Sequence, residues 1–535
     1  MKLLHESRAT AARAFRWDRS DPLSLPAFAL LLVTVAVAPF PWGRVVSGDT
    51  LVLELLSFST AALAALTRGY RVPLGRAWVP MAALAALALL GFLQAAPLPE
   101  GLLSRVAPES ARAWRDANAV LAAHGRDAQP FRVSLAPAET RATALLGLSY
   151  VALFFAAARV AASRHRRRVF VAVLLGTAFA AIATAVTRGE GLERIRDPFV
   201  NPNHLAGYLQ VALAVAFGLQ WSQLRKADRG AEGWLARLEG ITRSILPIGA
   251  TVLLWGAVAA ALALTRSRGG ILGAVAATLV LMGLTVLHRR QSRALARGGR
   301  AAHAGTAAGL VLAVALSAAF AASTTGKGPF LRFLAADPND IGSDGRVVVW
   351  THSLAAWRLH PVLGSGLGTF REAFRQVQPR GFTGLVDQAH SESLQLLVTS
   401  GLVGFLLGGV ALLSGVQLLA RRFFAQRHHE EGAVALAGLG ALVALLVHGL
   451  VEFNFSIPAI PATLAALLGA AWAASGWSPR TPVLVAVTQP SEARASGPAS
   501  VAIEKDRRPE RPDSGTASVV SPLTSVVPIR PPSQP

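Results

Sequence analysis

Arg266 and Arg268 stand in the turn Leu264-Thr265-Arg266-Ser267-Arg268-Gly269-Gly270, between two apolar stretches. A guanidinium presents forked donors that match phosphate oxygens, so one or both could hold a diphosphate at the depth of lipid headgroups. The alternative for such an Arg is snorkelling to the interface. Arg346, in Asp344-Gly345-Arg346-Val347-Val348-Val349-Trp350, offers a second anion ligand, against the alternative of a solvated or locally paired loop residue. His390 lies in QAHSESLQLLVTSGLVGFLL, where a polar stretch gives way to an apolar one. An imidazole there can take a proton from a hydroxyl while arginines stabilise a departing diphosphate; the alternative is a structural histidine. His448 and Glu452 are four residues apart and so share a helix face, either as a proton relay or as a hydrogen-bonded pair that braces the helix. Glu54, inside another apolar stretch, is open in the same way.

Other chemistries find no support. Cysteine is absent, which excludes disulfides, thiolate metal sites and Cys nucleophiles. No acidic cluster or histidine spacing suits a metal, and none is expected. Gly364-Ser365-Gly366-Leu367-Gly368 follows no strand and precedes no Lys, so it does not read as a nucleotide loop.

The elements that must position these residues are membrane helices. Of 535 residues, 53% are hydrophobic and 15% charged, where a soluble domain carries about a quarter charged residues. Twelve apolar stretches are near the length that crosses a bilayer: about 24–42, 50–67, 79–97, 141–161, 169–187, 204–222, 244–264, 270–287, 303–323, 393–420, 433–452 and 458–476. The expected fold is an all-α integral membrane protein of about 12 transmembrane helices.

A formal charge of +22 would suggest nucleic acid in a soluble chain, but the arginines lie in short clusters between apolar stretches. With the N-terminus inside, every second loop is basic: Arg68, Arg71, Arg76; Arg164 and Arg166 to Arg168; Arg225, Lys226, Arg229, Arg237, Arg243; Arg289, Arg290, Arg293, Arg297, Arg300; and Arg421, Arg422, Arg427. That is the positive-inside pattern, and it predicts both termini in the cytoplasm, with no nucleic acid required. Two outer loops are long, from about Pro97 to Glu139 and, between spans 9 and 10, over 324–392. In the second, Val347, Trp350, Leu354 and Trp357 recur at helical spacing behind a possible Asp344 cap. This predicts an amphipathic helix on the outer membrane surface, or a lid packed on the helix ends. The domain layout is thus a cytoplasmic segment 1–22, a membrane domain 23–476 and a Pro-rich, disordered cytoplasmic tail 477–535.

At these residues the chain resembles the O-antigen ligase and polymerase family, bacterial inner-membrane enzymes that act on undecaprenyl-diphosphate-linked glycans. The resemblance is strongest over about 199–460. Arg268 to Leu272 looks like the family's Arg, three residues, Leu element; His390-Ser391 followed by Gly401 and Gly404 looks like its His signature. Asp344-Gly345-Arg346 before Trp350, FVNPNHLAGYL from Phe199 to Leu209, and HGLVEFNF around His448 and Glu452 are similar to recurring family patterns. The resemblance implies that Arg268 and Arg346 bind the lipid diphosphate and that His390 activates an acceptor hydroxyl. Arg266, Trp350, Asn203 and His204 are then expected at the substrate, with His448 and Glu452 structural or relaying protons. It implies an inverting transfer at the periplasmic face to lipid A core or another glycan, without cofactor or metal. A transporter or flippase of lipid-linked sugars, with functional charges near midplane, and a scaffold acting through its tail are the competing classes.

Overall fold

The computed structural model describes residues 12–13, 15, 20–45, 47–68, 77–188, 194–227, 234–294, 346–380, 384–425 and 428–473. The expected span 303–323, the first part of the outer loop 324–345 with Asp344 and Gly345, and the tail 477–535 lie outside them. Among the described residues every regular element is a helix. In chain order these are α1 Ser24–Val37, α2 Ser47–Leu66, α3 Trp78–Gln94, α4 Glu100–Val106, α5 Pro108–Ala123, α6 Pro137–Val160, α7 Arg164–Arg188, α8 Pro202–Ala227, α9 Trp234–Leu264, α10 Arg268–Ala294, α11 Arg346–Leu359, α12 Phe370–Arg375, α13 Glu392–Ala425, α14 His429–Gly449 and α15 Ala459–Ala473.

Eight of these helices are long and apolar enough to cross a membrane: α2, α6, α7, α8, α9, α10, α13 and α14. The apolar helices α1, α3 and α15 are shorter. This is an α-helical membrane protein. The outer connection expected between Pro97 and Glu139 folds as α4 and α5.

Two helices form the centre. Within its apolar window α8 is 94% buried and α14 78%, against at most 44% for the other six. They pack along each other, with α9 and α10 against their flanks. Small residues allow this approach, as lipid-immersed helices require: a Cβ at Gly440 of α14 would stand 2.6 Å from Leu281 Cδ1 and 3.1 Å from Ala214 Cβ.

α13 is broken at Gly401, whose φ of +61° lies in the left-handed region that favours glycine. The loop after α11 is sewn into the break. Leu402 N–H donates to Pro361 O (2.9 Å) and Val403 N–H to Val362 O (3.2 Å), while Ser365 and Gly366 N–H reach Val398 O (3.0 Å) and Thr399 O (2.9 Å). Gln94, at the end of α3, donates to Leu363 O (2.5 Å) and Thr399 O (3.0 Å) and accepts from Leu367 N–H (3.0 Å). Backbone groups that a broken membrane helix would leave unpaired are satisfied by loop backbone. The glycine-rich 364–368 segment does this work, with positive φ at Gly364, Gly366 and Gly368.

α11 has one face against protein and one face outward. Its buried stripe is Val349, Ser353 and Ala356, packed toward α13, whereas Val347 and Leu354 are 40% and 37% exposed. Val349, Ser353 and Ala356 make the tight contact, Trp357 packs at its edge, and Val347 and Leu354 face outward.

Candidate functional site

α14 ends at Gly449, so the expected helical pair His448 and Glu452 is split: Glu452 sits in the turn beyond the helix. The two side chains bond to different partners, and neither braces the other.

Glu452 is 2% exposed and collects groups from three other segments. Asn203 Nδ2 donates to its Oε1 at 2.5 Å, Arg346 lies 2.9 Å from the same oxygen, and His390 Nδ1 is 3.6 Å from Oε2. Burial opposes ionisation of Glu452, but His390 and Arg346 outweigh it and hold the carboxyl below the usual carboxylate range.

Each partner is positioned locally. α8 begins with Pro202 at its first helical position, and Asn201 Oδ1 accepts from Asn203 N–H at 2.9 Å, an N-cap legible in the run Asn-Pro-Asn-His. His204 follows, 5% exposed, and its ring meets Phe453 edge-on at 4.8 Å. His390 meets the same ring at 4.9 Å, so Phe453 stands between two imidazoles. Arg346 opens α11 and also donates to Val451 O at 3.3 Å. One turn on, the Trp350 indole N–H donates to Ala389 O at 3.1 Å. Ala389 N–H donates to Gln395 Oε1 at 2.7 Å. The residue before His390 is thus clamped on both backbone groups, and His390 itself adopts φ +49°, a conformation costly for a non-glycine residue.

Arg266 and Arg268 occupy the turn from α9 to α10. Ser267 Oγ accepts from Gly270 N–H at 3.1 Å and caps α10. Arg268 is the first residue of that helix and is exposed; Arg266 is half-buried with φ +52°. A cation at a helix N-terminus adds to the positive end of the dipole, an arrangement suited to an anion. The turn lies beside the cluster: a Cβ at Gly269 would stand 2.8 Å from Val451 Cγ2, and Val451 is the residue whose carbonyl Arg346 bonds.

Sequence reasoning missed Glu392, whose Oε1 accepts from Phe455 N–H at 2.5 Å and ties α13 to the turn after Glu452. It also missed Gln395 and Phe453, which carry no chemical signature of their own. Glu54 is buried in α2, and among the described residues no hydrogen bond or ion pair links it to this cluster. A carboxylate, two imidazoles, an amide and a guanidinium thus meet next to an arginine-bearing helix start, able to hold an anion and move a proton.

Residues 250–408 match the family model described as O-Antigen ligase. The match includes Arg266, Arg268, Arg346, Trp350 and His390, while Asn203, His204, His448 and Glu452 lie outside it. No curated protein matches the chain.

Proposed function

We propose, from the match of residues 250–408 to the family model described as O-Antigen ligase, that this protein transfers an oligo- or polysaccharide from undecaprenyl diphosphate to an acceptor hydroxyl at the extracytoplasmic face of the inner membrane. The acceptor is lipid A core or a growing glycan. Arg268 and Arg346 hold the diphosphate, with Arg266 beside them. His390 takes the acceptor proton as the acceptor oxygen bonds to the anomeric carbon. The bond from that carbon to the diphosphate oxygen breaks from the opposite side, so configuration inverts. The leaving diphosphate carries away the electron pair, and the arginines neutralise it.

Glu452 holds this arrangement together. Its charge faces Nδ1 of His390 at 3.6 Å, which favours a proton there and leaves Nε2 as the base. The observation that carries the proposal is the convergence of Asn203, Arg346 and His390 on one buried carboxylate. Asn203 and His204 line the acceptor side, and Trp350 orients the loop over it.

The test is His390→Ala in the native host, with membrane insertion confirmed and lipid-linked and surface glycans profiled by size. Full-length chains stranded on the carrier identify a ligase, and accumulated single repeat units a polymerase. An unchanged profile removes His390 as the base and favours a transporter.

A further inference from the structure

His448 takes no part in the steps above, yet it is 0% exposed and joins two elements. Its Nδ1 lies 3.3 Å from Gln210 Oε1 on α8, and its Nε2 lies 3.4 Å from Ser267 Oγ in the arginine turn. The far end of this chain sets the direction of every bond. Gln210 Nε2 is 2.7 Å from Gly270 O, a carbonyl that can only accept. Gln210 therefore turns its own carbonyl oxygen to His448, and Nδ1 must carry the proton. Nε2 of the neutral ring is then an acceptor, so the Ser267 hydroxyl donates to it. Ser267 Oγ keeps a lone pair for Gly270 N–H at 3.1 Å. Both ends of the chain close on Gly270, two residues beyond Arg268. The ring also abuts the turn directly, since a Cβ at Gly269 would stand 2.7 Å from His448 Cδ2.

We propose that His448 is the positioning residue of the Arg266–Arg268 turn: anchored by Gln210 to the buried helix α8, its ring sets where Arg268 stands relative to Arg346. This rests on the role of Arg268 as a diphosphate ligand proposed above. His448 neither relays protons to Glu452 nor touches substrate. It transmits the rigidity of the α8–α14 pair to a turn whose two arginines reach outward from a buried backbone. The imidazole and Val451 both abut Gly269, so the ring's position bears directly on how the arginine turn seats against the cluster.

The experiment measures binding of undecaprenyl diphosphate to the purified full-length protein in nanodiscs, for His448→Leu, Arg268→Ala and the double variant. Arg268→Ala is expected to weaken binding at least about tenfold, and His448→Leu about tenfold. In the Arg268→Ala background, His448→Leu is expected to add less than about twofold, the non-additivity of residues acting through one group. Ser267→Ala and Gln210→Leu, smaller disturbances of the same chain, follow the same pattern and stand in if His448→Leu does not fold. Loss of binding in Arg268→Ala with none in the other variants overturns the positioning role alone. So does an equal loss in both backgrounds, which marks a general structural defect. Unchanged binding in Arg268→Ala overturns the donor-site assignment and the positioning role with it.

Discussion

The guanidinium of Arg346 lies 2.9 Å from Oε1 of Glu452, with the carboxylate 2% and the arginine 29% exposed. Nη2 of the cation faces a buried charge and Nη1 donates to Val451 O at 3.3 Å, while the side chain as a whole stays partly exposed. A carboxylate so placed orients the arginine without hiding it from an anionic ligand.

Glu452→Gln keeps the shape and an acceptor for Asn203 but removes the charge that faces both His390 and Arg346. Transfer is expected to fall by about a hundredfold, the lower end of what a disabled general base costs. Rates of glycan transfer in membranes, normalised to protein level, check this.

The depressed carboxyl of Glu452 also makes stability depend on pH. A group whose folded pKa is lowered contributes stability that is complete above its unfolded value, about 4.3 for Glu. That contribution declines as pH falls and is gone below the folded value. The melting-temperature advantage of the wild type over Glu452→Gln is expected to be flat from neutral pH to about pH 5 and to shrink in more acidic buffer. An advantage constant at every pH would show that the charge is not what matters.

Trp350→Phe keeps the aromatic ring and loses the N–H that holds Ala389 O at 3.1 Å. One such bond is worth about 1 kcal/mol, so activity is expected to drop about fivefold through a looser His390. Gln395→Leu, which releases the other backbone group of Ala389, is expected to act similarly. The two losses together are expected to be less than their product, because both act on one residue.

Gly401→Ala places a side chain at φ +61° and against the carbonyl of Val362. The conformation alone costs about 1–3 kcal/mol, and the overlap forces the 361–366 loop out of the break in α13. A lower melting temperature and reduced accumulation in the membrane are expected, whereas Gly409→Ala, with open space around its Cβ position, is expected to be tolerated.

The helical membrane class, the approximate positions of eleven apolar helices and the identity of the candidate residues were legible in the sequence. The expected spans begin at 204 and run unbroken over 393–420, without the Asn201 cap or the break at Gly401. What was legible is local: the length of an apolar run and the chemistry of single side chains. On α11 apolar periodicity identifies a helix but not which side packs on protein: Val347 and Leu354 are exposed while Val349, Ser353 and Ala356 are buried. In a membrane protein the large apolar residues can face lipid while small ones pack.

The sequence by itself determined what each site residue can do, since an arginine binds anions and an imidazole moves protons wherever they stand. Only the tertiary structure decided which of them stand together. His448 and Glu452 looked like one helical pair. The end of α14 at Gly449 instead sends His448 to Gln210 and Ser267, and Glu452 to Asn203, Arg346 and His390. The reason is physical: helical spacing fixes neighbours only within a helix. Contacts between distant segments are set by how the helices pack, α8 against α14 and α11 against α13.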